Sequence, residues 1–220
     1  MGETVQIATD GMHCISAWRA RPAGKPLGGI VVVQEIFGVN AHIRSVVDGF
    51  AARGFDAIAP ALFDHVETGV ELDYDDAGVR RGRELVAEVG FDRAVEAVAS
   101  AAQSIASSGT VGVVGYCWGG TVAFLGNTRL GLPSVTYYGG RTVPFLHEKP
   151  QAPMLLHFGA HDPIIPPADV EKHRAALPDA HIHVYDAGHG FNCDQRADYD
   201  AAASALALER TLAFFGQHLS

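Results

Sequence analysis

Apolar positions recur along this 220-residue chain in two rhythms. Near the start, TVQIATD and GMHCISAWRA alternate apolar and polar residues on either side of Asp10-Gly11, which predicts an antiparallel hairpin edging a larger sheet. The run IVVVQE, residues 30–35, is continuous and β-branched, as in a strand covered on both faces. Further short apolar runs, FDAIAP after Gly54, VGVVGY, SVTYYG, PMLLHFG and HIHVYD, read as strands too.

Between these runs the period changes to that of a helix. Asn40 can cap a helix with Ile43, Val46, Val47 and Phe50 on one face. A helical region reaching about Ser107 carries Phe91, Val95, Val98, Ala102 and Ile105 on a stripe, and Gly109 ends it. WGGTVAFLGN and PPADVEKHRAAL give two more helices, and a last one turns Ala205, Leu208, Leu212 and Phe215 inward. Residues 61–79 keep no period and read as a long excursion, of the kind that often carries function. Strands alternating with crossover helices predict an α/β fold in a single domain over residues 1–220: a mostly parallel central sheet, helices on both faces, and an N-terminal antiparallel hairpin.

Composition narrows the partners. Hydrophobic residues make up 48% and charged residues 19%, the balance of a globular chain. A formal net charge of −9 argues against nucleic acid as a partner, because phosphate binding needs a concentrated basic surface. No apolar stretch is long enough to span a membrane, and MGETVQIATDG lacks the pattern of a signal peptide, so a cytoplasmic protein is expected. Cys14, Cys117 and Cys193 form no CxxC, which suggests neither a disulfide framework nor a zinc ribbon.

In parallel α/β sheets, sites gather beyond the carboxyl ends of the strands. Four residues there stand out: Glu35, Cys117, Asp162 and His189. Cys117 lies in GYCWGG, a glycine-x-nucleophile-x-glycine turn between a strand and a helix. Gly115 and Gly119 give the clearance such a turn requires, and the helix opening at Trp118 aims partial positive charge at the sulfur, with the Trp118 N–H as one oxyanion donor. The order nucleophile, acid, histidine along the chain matches 117, 162, 189. Alone, Asp162 also reads as a turn-initiating residue before Pro163. Cys14 reads as packing in its strand, and Cys193, four residues past His189, should fall near the site.

GYCWGG, QEIFGVN, HDPIIP and AGHGF together resemble the dienelactone hydrolase family of the α/β-hydrolase fold, over nearly the whole chain. The resemblance implies a Cys117–His189–Asp162 triad and a second oxyanion donor in the Ile36 N–H. It implies Glu35 reaching the thiol, and hydrolysis of a small ester or lactone through an acyl-thioester, without metal or organic cofactor. Glu35 read by itself could instead only satisfy nearby backbone donors.

Family members that hydrolyse dienelactone bind its carboxylate through two arginines. Arg80 fits the first position, with Arg81 adjacent; Cys193 stands where the second would be, and Arg196 is nearest. A thiol cannot replace a guanidinium fork. Arg80 and Arg81 could equally be helix-surface charges. Phe37, Tyr74, Trp118 and Tyr138 could line an apolar pocket or merely pack. Neither His157/His161/Asp162 nor His181/His183 has a metal-binding spacing, so no metal is expected. A general carboxylesterase or thioesterase, and a thiol-redox sensor using Cys117, are the alternatives.

Overall fold

A computed structural model describes residues 2–9 and 13–219. Its centre is one eight-stranded sheet in the order β1-β2-β4-β3-β5-β6-β7-β8. The strands are β1 (Glu3–Thr9), β2 (His13–Ala20), β3 (Gly29–Val33), β4 (Asp56–Pro60), β5 (Val111–Tyr116), β6 (Ser134–Tyr137), β7 (Met154–Gly159) and β8 (His181–Tyr185). β1 and β2 pair antiparallel, β2 joins β4 antiparallel, and every later pairing is parallel. The predicted hairpin therefore edges the sheet; its turn at Asp10-Gly11 lies outside the described residues.

The continuous apolar runs β3, β4 and β5 are buried along their whole length. Helices α1 (Ala41–Ala51), α2 (Asp76–Ser104), α3 (Trp118–Leu130), α4 (Pro167–Ala176) and α5 (Ala201–His218) complete the fold. Successive residues of β5 face opposite layers: a Cβ on Gly112 would meet Phe215 of α5, while Gly126 of α3 packs on Val113. Phe50 of α1 joins Phe215 on the first face, their rings 6.2 Å apart. α2 and α3 share the other, where Phe91 meets Trp118 at 6.2 Å.

Side chains start the helices. Asn40 Oδ1 accepts the Ile43 N–H at 3.2 Å, Asp75 Oδ1 that of Gly78 at 2.7 Å, and Asp200 Oδ1 that of Ala203 at 2.8 Å. Each cap is worth about 1 kcal/mol.

Three expectations change. α2 begins at Asp76, inside the predicted excursion, and breaks at Gly90, whose φ of 68° and ψ of 175° are not helical. The inward face of α5 is Ala203, Ala207, Thr211, Phe214 and Phe215, with Ala205 exposed and Leu208 and Leu212 half-buried. The helix is turned by part of a turn because the polar Thr211 is drawn in to bond Tyr137 and His157. Cys14 is exposed, since the alternation of β2 sends Ile15 to the core and Cys14 outward.

Candidate active site

The chain enters β3, moves outward to β4, then returns to β5 on the other side of β3. This reversal opens a crevice at the carboxyl ends of β3 and β5. Glu35 stands just past β3 and Cys117 just past β5, with Asp162 and His189 on the loops after β7 and β8.

Cys117 has φ 55° and ψ −119°, a left-handed conformation costing about 1–3 kcal/mol that the surrounding backbone must hold. It is held on both sides: Cys117 N–H donates to the Tyr137 carbonyl at 3.0 Å, and the Gly120 N–H donates back to the Cys117 carbonyl at 3.0 Å. The flanking glycines have a measurable cause. A Cβ on Gly115 would fall 1.8 Å from the Gly119 carbonyl oxygen, and one on Gly119 would fall 2.3 Å from that of Gln34. Trp118 opens α3, so its N–H has no carbonyl within the helix to bond.

His189 joins the other two residues. Its Nε2 lies 3.2 Å from Cys117 Sγ and its Nδ1 2.7 Å from Asp162 Oδ2. The other Asp162 oxygen accepts the backbone N–H groups of Ile164 at 2.7 Å and Ile165 at 3.2 Å. Asp162 is thus both turn former and histidine partner, one oxygen for each. Burial opposes a charge on His189, but the charge of Cys117 and the hydrogen bonds to Asp162 and Cys117 outweigh it and raise the imidazole to about 10.

Glu35 is 1% exposed. It makes no hydrogen bond to the thiol among the described residues, contrary to what the resemblance implied; the thiol's bond goes to His189. Nor does it satisfy backbone donors. Oε2 accepts from the Tyr74 hydroxyl at 3.2 Å, and Oε1 faces Arg196 Nη1 at 3.4 Å. Burial, with the Glu35 charge nearby, also pushes up the Tyr74 hydroxyl. Ile36 follows on the same turn, held by α2: a Cβ on Gly82 would meet the Ile36 carbonyl oxygen at 2.1 Å.

The remaining candidates divide. Phe37 is buried against Tyr74, ring centres 4.4 Å apart, and Arg196 lies over both rings at 6.0 and 5.9 Å. Tyr138 is fully buried with φ 42°, its ring 5.1 Å from that of His189. Arg80 is exposed. Arg81 pairs with Glu67 at 2.6 Å and Glu84 at 3.1 Å on the surface. Arg196, the nearest arginine to the expected second position, reaches Glu35 at the crevice.

Cys193 is buried, and its thiol is pushed up to about 11 by burial and the Glu35 charge. The histidine groups weighed for metal are engaged otherwise: His157 bonds Tyr185 and Thr211 through its two ring nitrogens, and His161 pairs with Asp186. His42, which sequence spacing did not single out, stands instead beside Glu35 and Cys193. Its only sequence signal is its place in the first turn of α1, seven residues past Glu35 across a short connection. Among the described residues no helix is long and apolar enough to cross a membrane.

Comparison with known proteins bears on the family and the fold. The sequence model of the dienelactone hydrolase family matches residues 15–219. A carboxymethylenebutenolidase of Pseudomonas putida is 34% identical, covering 96% of this chain and 95% of its own. A solved structure from Klebsiella pneumoniae, provisionally assigned as a dienelactone hydrolase, superposes with a TM-score of 0.89 at 30% identity, covering 99% of both chains. An esterase of Pyrococcus furiosus shares the fold at a TM-score of 0.69 and 13% identity, covering 100% of this chain and 93% of its own. With an eight-stranded α/β-hydrolase sheet and these relatives, the chain is a hydrolase and belongs to the dienelactone hydrolase family.

Proposed function

We propose that this hydrolase cleaves a small ester or lactone by forming an acyl-thioester on Cys117, with His189 as acid and base and Asp162 as its orienting partner. The carrying observation is the unbroken run from Cys117 Sγ through His189 to Asp162, at 3.2 and 2.7 Å. The raised affinity of His189 for a proton, to about 10, suits the imidazole to take the proton of the attacking thiol.

In this reading the thiolate attacks the acyl carbon, and negative charge moves to the carbonyl oxygen. The N–H groups of Ile36 and Trp118 stabilise that oxygen, from a turn and a helix N-terminus already fixed in place. The acyl C–O bond then breaks, and His189 gives its proton to the departing alkoxide; in a lactone the new alcohol stays tethered to the acyl group. Water, losing a proton to His189, attacks the thioester, and the thiolate leaves as the acid forms.

In this reading Arg196, above Phe37 and Tyr74, meets a substrate carboxylate, and Tyr138, beside His189, forms a wall of the site. The surface pairing of Arg81 and the exposure of Arg80 favour, as a second reading, a general carboxylesterase or thioesterase that needs no carboxylate.

The test is turnover of a chromogenic acetate ester, with intact mass after rapid quench. Activity lost in Cys117→Ala and a transient acetyl adduct in the wild type are expected. Absence of turnover together with ready sulfenylation of Cys117 would favour a redox sensor and sink the hydrolytic route.

A further inference from the structure

Behind the crevice, Glu35, His42 and Cys193 each offer one donor atom, and the three atoms lie within 4.8 Å of one another. All three residues are buried: Glu35 is 1% exposed, His42 5% and Cys193 0%. A carboxylate, an imidazole and a thiol are the three ligand types that together suit a borderline-soft divalent cation such as Zn²⁺.

A second observation stands apart from the cluster itself. His42 Nδ1 faces Asp194 at 3.4 Å, toward a carboxylate that is 68% exposed. The opposite nitrogen, Nε2, is buried and has no hydrogen-bond partner among the described residues. An orphaned ring nitrogen in the interior costs about 1–3 kcal/mol unless something occupies its lone pair or accepts its proton. His42 also lines a cavity of about 320 Å³ with Asn192, Asp194 and Tyr199. Asp194 and Tyr199 are exposed, so the cavity reaches solvent and gives an ion a route past an acidic mouth.

We propose that Glu35, His42 and Cys193 form a binding site for a thiophilic divalent cation, with Zn²⁺ the chemical type it fits best. Tetrahedral zinc sets its donors about 3.5 Å apart, so the cluster closes by roughly 1 Å on binding, within reach of side-chain rotation. Cys193 loses its thiol proton to solvent as the sulfur–metal bond forms, and the fourth position is left to water. Glu35 turns its charge from Arg196 to the ion, and Arg196, which pairs with Glu35, opposes occupancy. The site shares no ligand with the Cys117–His189–Asp162 run, so the proposal stands or falls independently of the thioester route.

Co²⁺, which takes the zinc geometry and reports sulfur ligation by a charge-transfer band in the near ultraviolet, is the probe. The protein used is a Cys14→Ser/Cys117→Ser variant, so that Cys193 is the remaining thiol. One equivalent of Co²⁺ should produce the band, and Zn²⁺ should abolish it by displacement. Adding Cys193→Ser should remove it, His42→Gln should weaken binding at least tenfold, and Arg196→Gln should tighten it. Circular dichroism of each variant confirms its fold, and His42→Gln, which leaves all sulfur in place, keeps the test decisive if Cys193→Ser is unstable. No band at millimolar Co²⁺, or a band indifferent to His42→Gln, overturns the proposal.

Discussion

The imidazole of His189 is within 3.2 Å of the Cys117 sulfur, and the charge of that sulfur is the largest single influence raising the imidazole to about 10. Removing the sulfur should therefore lower the value. NMR titration of the labelled ring is expected to give about 10 in the wild type and a clearly lower midpoint in Cys117→Ala. The same shift is a stability statement. A folded value above the ordinary 6.5 means that stability from the proton is fully present below pH 6.5 and drains away as pH rises through about 10. The urea midpoint of the wild type should fall across that window more steeply than that of Cys117→Ala. Parallel curves would show that Asp162 alone sustains the charge.

Asp162→Asn separates the two duties of one side chain. The amide oxygen can still accept the N–H groups of Ile164 and Ile165, so the loop is retained. Its NH₂ then meets His189 Nδ1 as a donor and selects the wrong tautomer. Turnover should drop by about 10³–10⁴-fold with little change in melting temperature. A large loss of melting temperature would mean that the turn, rather than the histidine, was damaged.

Two glycine substitutions should move stability in opposite directions. In Gly119→Ala the new Cβ meets the Gln34 carbonyl at 2.3 Å and the Val33 carbonyl at 2.6 Å, backbone that cannot swing aside. A loss of about 3 kcal/mol or more is expected, or no folded protein. At Gly216, within α5, a Cβ meets nothing within 4 Å among the described residues, and Gly216→Ala should add about 0.5–1 kcal/mol. Chemical denaturation of both variants checks the pair.

Arg196 and Arg81 should differ as kinetic variants. With paired lactones that do and do not carry a carboxylate, Arg196→Gln is expected to raise KM about tenfold for the charged one and much less for the neutral one. Arg81→Gln, whose guanidinium is already held by Glu67 and Glu84, should leave both unchanged. Equal effects of Arg196→Gln on both substrates would remove the carboxylate contact and leave the plain esterase reading.

Periodicity made the strands, their mostly parallel arrangement and the strand-end residues legible, because β3, β4 and β5 are buried throughout and need continuous apolar runs. Cys117 was legible because its turn admits no side chain at 115 or 119. The break at Gly90 was not, since apolar residues continue in helical phase on either side of it. The face of α5 was misjudged because hydrophobicity alone cannot foresee Thr211 being drawn inward by Tyr137 and His157. Glu35 could be placed at the crevice by its strand, yet its partners Tyr74 and Arg196 come from 39 and 161 residues away, a separation that local pattern does not carry.

The backbone at position 117 fixes where the Cβ points before the side chain is chosen. Its φ of 55° is set by carbonyls and N–H groups of Tyr137 and Gly120, not by sulfur. The protein is thereby a holder in which sulfur and oxygen can be exchanged while the aim stays the same. A comparison of Cys117 with Cys117→Ser would then measure the difference between a thiol and an alcohol as nucleophile, freed of the geometric differences that separate one natural enzyme from another.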